Sequence, residues 1–294
     1  MNSPSPDRRL NAFRPDLADE RLRGLVEASR FVAGHPAVVT APVADVHSAP
    51  GAASGIDTQF LHGDGVLVFE RKEGWAWVQG DRDGYVGYIA ESALGNVNHR
   101  PTHVVSIPRS FVYPEAELKK PPLTAHSMGA RVAVAEEVEK RGTRYAVLAS
   151  GGAMIAKHLR PIGEPETDYV SVAETFAHTP YLWGGASGFG IDCSGLVQLS
   201  MFMAGRDAPR DTDMQAAGIG SPLDPAKGLK RGDLVFWRGH VAIMADSETI
   251  IHANGHTMTV SRETLTEAIS RIEPLYGRPT GFRRPRAFHG SKWL

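Results

Sequence analysis

Cysteine is almost absent: the 294 residues contain only Cys193. One sulfur cannot close an intrachain disulfide or build a thiolate zinc site. The chain also lacks an excess of either charge, since 32 basic against 33 acidic residues leave a net −1. No general basic surface therefore points to nucleic acid or anionic lipid. No segment reaches the roughly 18 uninterrupted apolar residues of a membrane span. The opening Met1-Asn-Ser-Pro-Ser-Pro-Asp-Arg-Arg-Leu10 lacks the apolar run of about 7–15 residues found in secretion signals. The expectation is a cytoplasmic protein with no nucleic-acid partner and no membrane insertion. The basic run Arg283, Arg284 and Arg286 reads as a solvated tail.

What remains is an ordinary globular composition, 42% apolar and 22% charged, long enough for two or three domains of about 100–200 residues each. Residues 1–35 read as an extension. Within it Leu17, Leu22, Leu25 and Val26 fall on one face of a helix expected over 16–29, with Asp16 as its cap. From 36 to 97 the pattern changes to short alternating runs. Val66 and Val68, Trp75 and Trp77, then Tyr85 and Ile89 are separated by Gly74 and by Asp81-Arg-Asp-Gly84. Short strands with frequent turn residues predict a small β-barrel.

Residues 98–163 repeat that pattern. Gly129-Ala-Arg-Val-Ala-Val134 and Gly151-Gly-Ala-Met-Ile155 each lie 66 residues after their counterparts, Gly63-Asp-Gly-Val-Leu-Val68 and the run ending at Ile89. Tandem similarity at a fixed period predicts two copies of one unit. Gly74-Trp-Ala-Trp77 and Gly84-Tyr-Val-Gly-Tyr-Ile89 resemble the turns of bacterial SH3 domains. Pro161 to Pro165 reads as a linker. Residues 166–294 then run in α+β order. A helix from Asp168 to about His178 and another from Ser194 to Ala204, stopped by Gly205, precede apolar strands at 233–237, 241–244 and 249–252.

The chemistry concentrates at Tyr181-Leu-Trp-Gly-Gly-Ala-Ser-Gly-Phe-Gly-Ile-Asp-Cys-Ser-Gly-Leu-Val-Gln198. Four glycines between 184 and 190 suit a loop where backbone must approach closely. Asp192 can cap the following helix and place Cys193 in its first turn. There the helix dipole favours an anion, so the thiol pKa is expected to fall. Twelve histidines are present, and two are singled out by position. His240 opens one apolar strand and His252 ends the next, so adjacent antiparallel strands would bring them together. His240 then serves as general base and acid, and His252 orients its ring.

Tyr-Leu-Trp-Gly-Gly, Asp-Cys-Ser-Gly-Leu-Val-Gln, Pro-Arg-Asp-Thr, Arg-Gly-Asp-Leu-Val-Phe-Trp, Gly-His-Val-Ala-Ile and Ile-Ile-His-Ala-Asn follow one another through about 175–285. Together they resemble the NlpC-type cysteine peptidases of bacterial cell-wall peptides. The resemblance implies a papain-like core whose functional residues fall on Cys193, His240 and His252, with a tyrosine on Tyr181, twelve residues before the cysteine. SH3 domains ahead of such a core resemble the γ-D-glutamyl-L-diamino-acid endopeptidases. That implies a small peptidoglycan-derived peptide with free N-terminal L-alanine as substrate, in cell-wall recycling, with no cofactor and no metal. It places Asp192, Ser194 and Thr212 on the Ala-γ-D-Glu part, and Tyr85 of the first barrel facing the cleft. Two other readings stay open. One is a papain-like amidase or acyltransferase on another amide or a lipid; the other is a non-catalytic SH3 binding protein.

Overall fold

The computed structural model describes residues 6–51 and 53–286. They fall into two compact units, Met1–Val105 with Ser110–Leu159, and Ser106–Arg109 with Arg160–Leu294.

In the first unit the alternating runs become one seven-stranded antiparallel sheet. Its order is Ile56–Leu61, Val43–His47, Val86–Ala90, Trp75–Gly80, Gly65–Lys72, His35–Val39, Leu94–Gly95. Side chains alternate faces along a strand. Ala76 and Val78 therefore turn inward with Val46, Val66, Val68 and Ile89, all at most 3% exposed. The register pairs Val68 with Val78 and Ala76 with Ile89, which closes this apolar cluster. At the predicted turn Gly84 has φ +77°, and the Asp83 carboxylate accepts the Tyr85 N–H at 3.0 Å.

The opposite face of this sheet decides the fate of the N-terminal segment. Trp77 is 4% exposed and packs with Phe69, Ala12 and Leu17. The guanidinium of Arg14 lies 4.4 Å from the Trp77 ring centre and bonds Glu70 and the Tyr88 hydroxyl, each at 2.7 Å. These contacts hold the segment extended, so the helix expected over 16–29 does not form. Instead Ala18–Asp19 pairs with Phe31–Val32, and the Asp19 side chain caps a single 3-10 turn, Glu20–Leu22. Asp16 pairs with Arg14 rather than capping, and Leu25 is left 68% exposed.

The rest of the unit departs from the first pattern. His103–Val105 pairs with Arg131–Val132, while Val134–Lys140, Thr143–Leu148 and Ala153–Ile155 form a separate meander. The repeat survives in its ending. Val86–Ala90 leads into the 3-10 turn Glu91–Ala93, and Ala153–Ile155 leads into Ala156–His158. The strands between fall into small sheets instead of one continuous seven-stranded sheet.

The second unit has the α+β order expected. Helix α1, Tyr169–Thr175, is capped by the Asp168 side chain, and α2, Cys193–Met203, by that of Asp192. Every residue of α2 is buried, as befits a helix apolar over most of its circumference. Helix α3 is Thr212–Gly218. A six-stranded antiparallel sheet follows in the order Ser221–Pro222, Gly281–Arg284, Leu234–Trp237, His240–Met244, Thr249–Asn254, Thr259–Thr264. Helix α4, Leu265–Tyr276, opens with a capping box between Thr264 and Glu267. It covers one sheet face through Ala268 and Ile272 against Val235, Trp237, Ala242, Met244 and Ile250. The basic run near the end is not the solvated tail expected: Arg284 grips the buried Asp233 at 2.7 Å through two nitrogens, and Arg283 bonds the Ile219 carbonyl.

Because Leu17 is fully buried against Trp77 and Phe69, Leu17→Ala should destabilise the protein by about 2–4 kcal/mol. Urea unfolding of the full chain measures this. No shift in midpoint would mean the N-terminal segment is a loose appendage.

Candidate active site

Asp192 organises the loop and helix that present the cysteine. One carboxylate oxygen accepts the Gly195 N–H at 2.7 Å, capping α2; the other accepts the Gly184 N–H at 3.0 Å, pulling in the glycine loop. Arg210, 1% exposed, completes the set with bonds of 3.0 and 2.7 Å to the two oxygens and a third of 2.8 Å to the Ser194 hydroxyl. The loop can lie this close because Gly195 carries no side chain. A Cβ there would stand 2.3 Å from the Gly185 carbonyl. Gln215 on α3 bonds the Ser194 and Pro209 carbonyls, both at 2.9 Å, and ties α3 to α2.

Cys193 thus sits in the first turn of α2, 6% exposed. The backbone N–H of Val241, next to His240, donates to its sulfur, and the Thr212 hydroxyl lies 3.9 Å from Sγ. The thiol pKa does not fall as expected. Burial pushes it up, the neighbouring Asp192 carboxylate adds to the rise, and together they bring it to about 11 against the Val241, Thr212 and Arg210 contributions. A helix terminus stabilises an anion by at most a couple of kcal/mol. Loss of water around a buried thiolate outweighs that.

The two histidines meet as their strands predict. His240 Nε2 lies 2.8 Å from His252 Nδ1. Burial, then the neighbouring His252 and Arg271, push His240 down to about 3, so its ring is neutral and able to accept a proton. His252 is 1% exposed, and its Nε2 lies 2.8 Å from the carboxylate of Glu263. Arg271 of α4 bonds the same carboxylate oxygen. Burial alone would raise Glu263, but the bonds from His252 and Arg271 outweigh it and hold the carboxyl near 2. Sequence reasoning missed Glu263. Its signal was parity: it pairs across the strands with Ile250, and so shares a sheet face with His252, two residues along that strand.

Tyr181 bonds the Met258 carbonyl through its backbone at 2.8 Å. Its hydroxyl pKa is raised by burial first and then by Cys193, which places the ring within electrostatic reach of the thiol. Asp192, Ser194, Thr212 and Tyr181 therefore gather around Cys193. The first two are already bound into the Arg210 cluster. Tyr85 lies in the other unit, 4% exposed within the apolar cluster of the seven-stranded sheet. That is a core position, which corrects the expectation of a cleft-facing side chain.

With this geometry in place, comparison with known proteins is specific. Residues 178–273 match the NlpC/P60 family, and residues 46–94 match the bacterial dipeptidyl-peptidase Sh3 domain. The chain is 31% identical over 242 residues to a γ-D-glutamyl-L-lysine dipeptidyl-peptidase of Bacillus subtilis, covering 74% of this chain and 79% of that one. It is 26% identical to dipeptidyl-peptidase 6 of Lysinibacillus sphaericus over 82% of this chain and 94% of the other. Among solved structures, an NlpC/P60 family protein from Bacillus cereus superposes with a TM-score of 0.71 at 22% identity, covering 85% of this chain and 99% of that one; the likeness is one of fold.

Two outcomes test the site's electrostatics. Arg210→Met leaves a buried carboxylate without its cation and should cost about 3–5 kcal/mol in urea unfolding, with Asp192→Asn in the same chain recovering much of the loss. A variant as stable as wild type would show that the pair holds nothing together. The second concerns pH. Folded Glu263 titrates near 2, below the ordinary 4.5, so its stabilisation is full above about 4.5 and fades as pH falls through about 2. The stability gap between wild type and Glu263→Gln should be constant from neutral pH to about 5 and shrink below that; a gap that widens in acid would contradict the depressed carboxyl.

Proposed function

The chain belongs to the NlpC/P60 family of cysteine peptidases, with a bacterial SH3 domain preceding the peptidase domain. From that premise we propose that it hydrolyses the γ-D-glutamyl-L-diamino-acid bond, to meso-diaminopimelate or L-lysine, in peptidoglycan stem peptides with a free N-terminal L-alanine. The observation that carries this reading is the run of Cys193 at a helix N-terminus beside the start of the His240 strand, followed by His240, His252 and Glu263 in hydrogen-bonded sequence. The names of the relatives supply the bond.

The steps follow from the two pKa directions. Thiol and imidazole are both neutral before substrate binds. His240 takes the Cys193 proton as the sulfur attacks the γ-carbonyl of D-glutamate, so thiolate and imidazolium arise together, next to each other. The developing oxyanion meets the first-turn N–H of Cys193, with the Tyr181 hydroxyl as a second donor, where fixed dipoles are most effective. His240 then gives its proton to the departing amine of the diamino acid. A water attacks the resulting thioester with His240 again as base, releasing L-Ala-γ-D-Glu. Asp192 and Arg210 hold the nucleophile in place, and Thr212 lines its other side.

A free L-alanine terminus exists only on peptides already cut from the glycan, to which that nitrogen is joined in intact wall. This is the basis for assigning the enzyme to recycling of freed fragments, in the cytoplasm. No helix among the described residues is long and apolar enough to cross a membrane.

Mass spectrometry of the purified protein with L-Ala-γ-D-Glu-meso-diaminopimelate, its L-lysine counterpart and their N-acetylated forms tests the reading. Release of L-Ala-γ-D-Glu from the free peptides alone is expected, with no turnover by Cys193→Ala and a loss of about 10²–10⁴-fold for His240→Ala. Equal cleavage of the acetylated forms would keep the bond but remove the recycling assignment. Intact peptides throughout would send the search to another amide.

A further inference from the structure

We propose that Glu263, held by Arg271, is a positioning residue that fixes the tautomers of both histidines and so aims the basic nitrogen of His240 at Cys193. This deepens the peptidase reading and rests on it for its mechanism. Donors and acceptors must alternate along the row of rings. A neutral imidazole has one N–H and one lone pair. Glu263 is an ionised carboxylate and can only accept, so the 2.8 Å contact with His252 Nε2 requires the proton to be on that nitrogen. His252 Nδ1 is then a lone pair, and the 2.8 Å contact from His240 Nε2 requires a proton there. His240 Nδ1 is left as the lone pair, on the residue whose neighbour, Val241, donates to the thiol. One carboxylate two residues from His240 along the hydrogen-bond chain decides which of its nitrogens can take the thiol proton.

Arg271 has a separate part. It binds the Glu263 oxygen that faces His252, so the carboxylate stays charged and anchored to α4 when positive charge develops on the histidines. The charged groups facing the pair are therefore Glu263, from the strand beside that of His252, and Arg271 from α4. Glu267 is engaged with the cap of α4 and takes no part. Arg271 and Glu263 cancel, so the chain of histidines sits beside an internally neutral pair with its negative end turned toward it.

Glu263→Gln makes the sharp test. The neutral amide is a weaker acceptor and can also donate to His252 Nε2, so the tautomer of His252 is no longer fixed, and molecules with His252 Nδ1–H toward His240 leave His240 with its proton on Nδ1 and no lone pair for the thiol. Peptide cleavage should drop by about 10²–10⁴-fold, the contribution of a correctly placed acid–base group, with the upper end that of a charged orienter replaced by its amide. Activity that remains should have both limbs of its pH profile at lower pH, because removing a negative charge eases the loss of every proton from the pair. Iodoacetamide gives a readout independent of substrate, since Cys193 is the single cysteine. Its alkylation at neutral pH should slow by about 10²-fold once the base is misdirected.

A double-mutant cycle separates positioning from general destabilisation. His252→Asn accepts from His240 through its own amide oxygen and needs no carboxylate behind it. In that background Glu263→Gln should change neither cleavage nor alkylation further, whereas a merely structural Glu263 would lower both in either background. Wild-type alkylation rates in Glu263→Gln, or effects that multiply in the double variant, overturn the proposal. If wild type alkylates with these properties but cuts no wall peptide, the substrate assignment has failed and the role of Glu263 stands.

Discussion

A carboxylate buried at the start of a helix cannot stand alone, and in this peptidase the ion pair between Asp192 and Arg210 is what the remaining site geometry depends on. Isolating a charge from water costs many kcal/mol unless it is fully coordinated. Asp192 meets that demand by drawing in the Gly184 amide from the loop, the Gly195 amide from α2, the Ser194 hydroxyl and the Arg210 guanidinium. The partners come from three pieces of chain, so satisfying one charge locks the glycine loop, helix α2 and the segment leading into α3 together. Cys193 is between two of these anchors. Its position is a by-product of electrostatic necessity rather than of its own contacts, which are weak: a 3.9 Å approach to a hydroxyl and one backbone N–H.

The same logic explains why the sheet side of the site has its own ion pair. Glu263 and Arg271 lie on a strand and a helix that are consecutive in sequence, joined at Thr264. The capping box there fixes where α4 begins, and eight residues separate Glu263 from Arg271, about two helical turns. Local chain geometry thus delivers a cation to the carboxylate without any long-range requirement. The histidines, which come from two further strands in fixed register, then complete the row.

How much of this could be read from sequence depends on whether the signal was local. Asp192 before Cys193, after four glycines and before an apolar run, announced the capped helix, and Leu234–Trp237, His240–Met244 and Thr249–Asn254 announced the strands that pair the histidines. Where an outcome was set by distant chain, the local reading failed. The helical spacing of Leu17, Leu22, Leu25 and Val26 was real, but Trp77, Glu70 and Tyr88 compete for that segment through Leu17 and Arg14. The capped helix that begins at Cys193 is local and legible, whereas the burial that raises its thiol pKa comes from distant chain. Tyr85 was expected to face the cleft and instead packs into the apolar cluster of its own sheet. Glu263 and Arg210 carried no motif that names a role; each becomes visible only when cross-strand register or a folded loop shows which charge it faces.

The arrangement has a consequence for how the substrate's charge can be recognised. Asp192–Arg210 and Glu263–Arg271 are both internally neutral, and thiol and imidazole begin neutral as well. The resting site therefore presents little net field, and the only charges created are the thiolate and imidazolium of the reaction itself, side by side, where their attraction offsets much of the cost of forming them in a dry environment. An arriving ammonium group finds Asp192 with both oxygens already committed. To attract it, Asp192 would have to loosen its hold on Arg210, and with that its hold on Cys193. Recognition of a free N-terminus through this carboxylate would accordingly be coupled to the position of the nucleophile, so that a peptide lacking the ammonium would lose alignment for reaction as well as binding.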